Sequence, residues 1–296
     1  MTNFYNNLNN QRQRFIEVFN DTEKLITSNL TLIEATVKSS ELIKVYDNGV
    51  FKENIVLPQE LRLIDNITVT NHRTFEAARL LKKEFPDSKV AVLNFASATN
   101  PGGGVTRGSS AQEECLCRAS NLYNQLILSK PTSLFYRPNI NAKNPLHDDK
   151  IIYTPDIVVF KTDDKNYNLL PEDEWYKVDV ITCAAPNLRE QPSNQFNQGD
   201  GNVAANISKE DLYKLHLSRA QAIVRSAIEN RVQVLVLGAF GCGAFKNDPK
   251  VVAKAYYDVL NIYKQFFNRI EFAIYCNSYE DENFKAFREQ FKEERN

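Results

Sequence analysis

Short, almost continuously apolar runs alternate along this chain with longer stretches whose apolar residues recur every three or four positions. Residues 89–95, 178–184, 232–238 and 270–275 are the clearest runs. Each has the length of a strand and lacks a polar face, as a strand buried on both sides of a sheet should. Between them Phe75, Ala78, Leu81 and Phe85 fall at helical spacing, as do Leu217, Ala220, Val224, Ala227 and Ile228 further on. The alternation predicts an α/β fold whose helices cover a sheet. Residues 130–175 are richer in Pro, Asn and Asp and have no clean period apart from an apolar run at 157–160, so they are expected to form a long excursion carrying one or two edge strands. The first 75 or so residues read as a helical extension packed on a single domain, and no internal repeat divides the 296-residue chain. Tyr256 and Tyr257, spaced with Val252 and Leu260 after Pro249, read as helix core. Residues 280–295 interleave Phe284, Phe287 and Phe291 with both signs of charge, the pattern of an amphipathic closing helix.

With 43% apolar and 25% charged residues the chain can bury one large core. Its net charge of -1 and pI near 6.4 exclude a broad basic face for nucleic acid. No stretch approaches the roughly 20 apolar residues of a membrane helix, and residues 1–5 lack the apolar run of a signal peptide. Of five cysteines, only Cys115 and Cys117 lie close together in sequence, so neither a disulfide framework nor a CxxC metal site is indicated. These readings place the chain in the cytoplasm with reduced thiols and away from membranes; no residue pattern reads out oligomeric state, and a monomer is simply the expectation.

Glycine placement directs attention to function. Seven of the ten glycines (Gly102, Gly103, Gly104, Gly108, Gly238, Gly241, Gly243) fall in two segments that each follow a predicted strand. Without side chains, such loops let backbone approach a ligand and aim successive N–H groups at a phosphate or diphosphate, and ligands of open α/β sheets sit beyond the carboxyl ends of the strands. The spacing excludes two familiar motifs. A dinucleotide fingerprint would need Gly where Arg107 stands, and a Walker A loop would need Lys where Ser109 stands.

After the first loop, Ser110-Ala111-Gln112-Glu113 has the spacing of a capping box, which would explain Glu113 as a helix cap. Glu114 has no such role. Adjacent helical residues diverge by about 100°, so Glu113 and Glu114 are not expected to flank one bond as two separated glycosidase carboxylates do, and a single carboxyl would serve as both acid and base. A helix N-terminus lowers a carboxyl pKa, whereas a general acid needs it raised; a bound diphosphate would push it back up. Leu116, Leu122 and Leu126 supply the apolar stripe of that helix.

The segment Leu93-Asn94-Phe95-Ala96-Ser97-Ala98, then Pro101-Gly102-Gly103-Gly104, seven residues, and Gln112-Glu113-Glu114 resembles the bacterial-type poly(ADP-ribose) glycohydrolases, whose pattern is GGG, six to eight residues, then QEE. Further blocks in the family's order are Ile152-Tyr153-Thr154-Pro155-Asp156, Val180-Ile181-Thr182-Cys183-Ala184-Ala185-Pro186-Asn187 and the run from Gly238 through Phe240, Gly241, Cys242, Gly243, Ala244 and Phe245 to Pro249. The resemblance implies a macrodomain, with a mixed β-sheet sandwiched between helices, that binds ADP-ribose across the two glycine loops and hydrolyses the ribose-ribose bond of poly(ADP-ribose). It implies that Glu114 protonates the leaving oxygen, that Glu113 and Asn94 hold ribose hydroxyls, and that Gln112 and the Gly102, Gly103 and Gly104 backbone complete the first loop. Residues 238–245 would cradle the diphosphate, with Phe245 pressing the distal ribose toward Glu114. No metal or cofactor is implied, and His72, His147 and His216 are too scattered to be ligands. Asn187 would either meet the adenine or form an Asx turn beside Pro186. Cys242 lies in the phosphate loop with no histidine near in sequence, so packing is its expected part.

Two other functions share these residues. One is a reader that binds ADP-ribose without cleaving it, which the glutamate pair beside the loop argues against. The other is a hydrolase of mono-ADP-ribosylated protein or nucleic acid, or of acylated ADP-ribose.

Overall fold

A computed structural model describes residues 2–47, 66–194, 199–276 and 281–292, with side chains from residue 10 onward. In chain order its elements are α1 (Thr2–Ser28), α2 (Leu30–Leu42), β1 (Lys44–Tyr46), β2 (Ile67–Thr70), α3 (Thr74–Glu84), β3 (Val90–Ala96), α4 (Gln112–Ala119) and α5 (Leu122–Leu126). They continue with α6 (Ser129–Pro131), α7 (Arg137–Ala142), β4 (Ile151–Val159), β5 (Tyr176–Ala184), α8 (Lys209–Glu229), β6 (Val234–Leu237), α9 (Pro249–Tyr263), β7 (Arg269–Ala273) and α10 (Glu282–Gln290). Helix starts follow local chemistry: Asn29, Ser208 and Asp248 accept from the backbone N–H groups of Leu32, Asp211 and Lys250, and Pro249 occupies the first turn of α9, where its missing N–H costs nothing.

The strands form one sheet in the order β1-β4-β5-β3-β6-β7-β2. Strands β5, β3, β6, β7 and β2 run parallel, while β4 and β1 are antiparallel to their neighbours. Side-chain alternation on the central strand β3 divides the core in two. Val90 and Val92 face α1, α3 and α4 through Phe15, Phe75 and Leu116, while Ala91 and Leu93 face α8, α9 and α10 through Ile223, Val252 and Phe287. This is the predicted mixed sheet between helices.

The departures lie at the edges. The excursion does contain a strand, but β4 is an inner strand, paired on one side with β5 and on the other with β1. Its Pro155 cannot donate to a ladder, and a bulge between Thr154 and Ile157 absorbs it, with Asp156 at φ +57° giving its N–H to Asp179 at 2.9 Å. Among the described residues both edges of the sheet, β1 and β2, come from the first 75 residues, so that extension is not purely helical. The expected single helix through Leu116, Leu122 and Leu126 is two, because the Ser120 hydroxyl turns back to the Leu116 carbonyl (2.8 Å) and the chain bridges to Val159; all three leucines are nonetheless fully buried. The closing helix spans 282–290, and residues 280 and 293–295 of its predicted range lie outside the described residues.

Candidate active site

Val90, Val92 and Asn94 share a face of β3, so the strand's last polar side chain points at α4 rather than at α8 and α9. Gln112 fixes how α4 meets that strand. Its Oε1 accepts from Phe95 N (2.9 Å), and its Nε2 donates to the Leu93 carbonyl (2.8 Å) and the Thr74 hydroxyl (3.0 Å), extending β3's hydrogen bonding sideways and tying in the start of α3. Gln112, expected among the ligand-binding residues, does line the cavity, while its side-chain amide is committed to this joint.

The next two residues are both buried carboxyls. Glu113 accepts from Ser97 N at 2.8 Å and from Asn94 Nδ2 at 3.3 Å, and the Gly102 amide adds a further donor. The capping box does not form: α4 begins after Ala111, which makes no side-chain cap, and the Ser97 amide has the carboxylate that Ser110 was expected to attract. Glu114 Oε1 accepts from Gly104 N at 2.8 Å, whereas its Oε2 is buried with no hydrogen-bond partner among the described residues. The two carboxyls also converge more than a 100° divergence on the helix implied. A Cβ on Gly103 would sit 2.4 Å from Glu114 Oε1 and 3.2 Å from Glu113 Oε2, so only glycine fits there, at φ +59°.

Burial is the largest influence on both acids and pushes each above the ordinary carboxylate range, Glu113 the further because the Glu114 charge adds to it. Backbone N–H groups and Arg118 pull Glu114 back without cancelling the effect of burial. The objection that a helix N-terminus would leave the acid too strong is thus answered before any ligand binds.

The two glycine loops divide the work that was expected of both. In the first, Gly103 N donates to the Asn100 carbonyl (2.9 Å), Gly104 N to Glu114, and Val105 N to the Gly102 carbonyl (3.2 Å), so its amides shape a turn and hold carboxyls instead of facing a diphosphate. In the second, among the described residues no acceptor meets the amides of Gly241, Gly243, Ala244 and Phe245, and all four residues line the cavity. Open amides of this kind, side by side on a cavity wall, are the arrangement that can hold an anion. Asn247 shapes it, donating to the Pro186 carbonyl (2.7 Å) and the Gly241 carbonyl (3.0 Å) while accepting from His216, which burial keeps neutral by lowering its pKa to about 4. Gly238 is required by packing, since a Cβ would lie 2.7 Å from the Phe95 ring. Phe240 is a core residue against Phe95 and His216, and Cys242 is a buried thiol whose pKa burial raises. Phe245 does border the cavity, its ring 6.0 Å from His147 and under the Arg189 guanidinium at 5.6 Å.

Asn94 and Asn187 are fully buried and outside the cavity lining. Asn94 lies behind Glu113. Asn187 donates to the Pro192 carbonyl (3.0 Å) and Asp200 (2.7 Å) and accepts from Arg189 Nε (3.0 Å), so it organises the loop after β5 and does not reach the ligand space. Asn187→Ala is expected to lower unfolding stability by about 1–3 kcal/mol, read by denaturant titration; an adenine contact would instead show as weakened ADP-ribose binding at unchanged stability.

The cavity that joins these groups has a volume of about 630 Å³, in the range of small-molecule sites. Several of its walls had no motif to announce them: Gln11, Arg12 and Phe15 on α1, His72 and Arg73 before α3, Asp163 after β4, and Tyr275 after β7. Arg73 stacks 4.1 Å from the Tyr275 ring, and burial raises Asp163 to about 6. The α1 residues were read only as part of a helical extension, and nothing in that reading marked them as a cavity wall. Among the described residues no group of three or more His, Cys, Asp or Glu is arranged to hold a metal ion, and no helix is long and apolar enough to cross a membrane.

A mixed sheet between helices, with a buried carboxyl pair beside a loop of open amides at the strands' carboxyl ends, defines a macrodomain-like protein built to hold an anionic ligand against an acid. The family model for the microbial-type PARG catalytic domain matches residues 9–162, and the chain belongs to that family. It is similar to the poly(ADP-ribose) glycohydrolase of Thermomonospora curvata bound to the inhibitor ADP-HPD, at 26% identity and TM-score 0.76 over 94% of this chain and 99% of that one. It is also similar to the poly(ADP-ribose) glycohydrolase of Deinococcus radiodurans in complex with ADP-ribose, at 29% identity and TM-score 0.68 over 86% and 96%. A mutant of the Deinococcus protein with ADP-ribose aligns at 33% identity and TM-score 0.65 over 77% and 84%. No curated protein matches the chain.

Proposed function

We propose that this protein is a poly(ADP-ribose) glycohydrolase that cleaves the ribose-ribose O-glycosidic bond and releases ADP-ribose, with Glu114 as its general acid and base. The observation that carries the role of Glu114 is its place in the cavity wall next to a loop of open amides, with a buried Oε2 that has no hydrogen-bond partner among the described residues. Family membership and the ADP-ribose complexes of similar proteins support the substrate class.

The division of labour follows from the donors. Ser97 N and Asn94 Nδ2 need acceptor oxygens, so Glu113 is the member of the pair suited to carry the negative charge, although its deeper burial pulls the other way. Glu114, whose Oε2 has no hydrogen-bond partner among the described residues, holds the proton. With the diphosphate on the amides of Gly241, Gly243, Ala244 and Phe245, and with Phe245 against the distal ribose, Glu114 gives its proton to the oxygen leaving the anomeric carbon. Charge then builds on an oxocarbenium-like centre, which the Glu113 carboxylate favours. Water attacks that centre, and the Glu114 carboxylate takes its proton. Asn94 acts through Glu113, and Gln112 by fixing α4. One catalytic domain with an N-terminal extension packed on it, acting as a monomer in the cytoplasm, completes the reading. Five unbridged cysteines fit that compartment.

Because the reactive form is protonated Glu114, kcat is expected to fall as pH rises through its burial-raised pKa, with the falling limb above the usual carboxylate pKa of about 4.3. A kcat profile that rises through that limb would reject Glu114 as the acid. The direct test is incubation with purified poly(ADP-ribose), following released ADP-ribose by chromatography, beside mono-ADP-ribosylated protein as substrate. Release from polymer supports the proposal, release only from mono-modified protein replaces the substrate, and calorimetric binding with neither reaction makes the protein a reader.

A further inference from the structure

Arg118 is a fully buried side chain whose charge has no bonded carboxylate among the described residues. Its Nη1 donates to the Ser109 carbonyl at 2.7 Å, its Nη2 meets Cys115 Sγ at 3.7 Å, and its Nε has no partner. The guanidinium lies 4.4 Å from the Phe15 ring of α1 and 5.1 Å from the Tyr167 ring, and it is hydrogen-bonded to the Tyr167 side chain. A cation taken out of water among neutral partners only is costly, which calls for a use of the charge itself. One turn before it on the same face of α4 stands Glu114, and each of the two groups feels the other's charge.

If ionised, Tyr167 and Cys115 would balance this cation ahead of Glu114, but both stay protonated, which leaves the Glu114 carboxyl to do so. Cys115 and Cys117 on α4 and Tyr167 after β4 are held neutral by burial. Asp163, after β4, is raised to about 6 and accepts from Phe75 N. Arg73, before α3, is a second cation against Cys115 at 3.9 Å. From α1 come Arg12 in the cavity wall and Glu23, which bonds Asn124, and Arg107 belongs to the loop between Gly104 and α4. On α4 itself Glu113 is already bonded to Ser97 and Asn94.

We propose that Arg118 is a positioning residue that pins the end of the first glycine loop to α4 and supplies the buried positive charge on which Glu114 relies when it releases its proton. This rests on the hydrolase reading above. As the O–H bond of Glu114 breaks and an O–H bond forms on the oxygen leaving the anomeric carbon, a carboxylate is created in a nearly dry pocket beside Glu113. The guanidinium stabilises that carboxylate, and its bond to the Ser109 carbonyl keeps the loop in register with it. Helix α1, through Phe15, closes the compartment in which the charge sits, so the N-terminal extension takes part in the chemistry.

The test is kcat against pH on poly(ADP-ribose) for wild type, R118K and R118M, with ADP-ribose binding by calorimetry. R118M is expected to bind ADP-ribose, to lower kcat about tenfold or more, and to move the falling limb upward by about one pH unit, as loss of an adjacent opposite charge requires. R118K, which keeps the charge, is expected to leave the limb in place. If R118M does not fold, R118Q, neutral and hydrogen-bonding, is read the same way. Equal losses in R118K and the neutral variant with an unmoved limb would reduce Arg118 to packing and overturn the proposal. A wild type inactive on polymer would instead bring down the hydrolase reading, and this inference with it.

Discussion

Glu114→Gln is expected to lower kcat on poly(ADP-ribose) by about 10²- to 10⁴-fold or more, the range lost with a general acid-base group, while ADP-ribose binds as to wild type. The structure makes this a clean substitution. Gln can keep its carbonyl oxygen on Gly104 N and place its NH₂ where Oε2 has no donor to oppose it. The same change at Glu113 would mix causes, because each oxygen there faces a donor, Ser97 N or Asn94 Nδ2, and an amide would set N–H against N–H. A rate lowered about 10³-fold corresponds to about 4 kcal/mol of barrier, with none of it in the affinity for product. Single-turnover release of ADP-ribose and calorimetric titration of the same preparation give the two numbers. Loss of binding together with rate, or a rate near wild type, would remove Glu114 from the acid-base role.

How far the chain could be read before its structure depended on whether a residue's part is local. The continuous apolar runs and the helical spacing are local, and they placed β3, β5, β6, β7, α3 and α8 within a few residues. Glycine density was likewise enough to mark both loops. What each loop does was not local. The first loop's amides bend inward to Asn100, Gly102 and Glu114, which depends on α4 sitting over the end of β3, a joint made by Gln112 with Leu93, Phe95 and Thr74. Glu113 was drawn to a capping box by spacing, but Ser97, sixteen positions earlier, competes for the carboxylate. Strand β1, three residues long, is held by pairing with β4 across a hundred positions of chain, and no local pattern announces such a strand. Arg118 and Phe15 read as helix positions, and only the packing of α1 on α4 brings them together.

Gly243→Phe is expected to abolish ADP-ribose binding, by on the order of 100-fold or more in affinity, without disturbing the fold. A Cβ at Gly243 meets nothing within 4 Å, and the residue borders the cavity beside the open amides of Ala244 and Phe245, so a large side chain there enters the space assigned to the diphosphate. Its effect on unliganded stability should be that of an ordinary surface change, within about 0.5 kcal/mol. The other glycines provide the contrast. A side chain at Gly103 strikes Glu114 Oε1 at 2.4 Å and strains a backbone at φ +59°, and one at Gly238 meets the Phe95 ring at 2.7 Å and the Ala273 carbonyl at 2.9 Å. Those two substitutions should lower the melting temperature, and the first should also displace the acid. Melting curves without ligand and calorimetry with ADP-ribose separate the cases. If Gly243→Phe folds and binds ADP-ribose as wild type does, the amides of residues 241–245 do not hold the diphosphate, and the ligand must run along the Arg73 and Tyr275 side of the cavity instead.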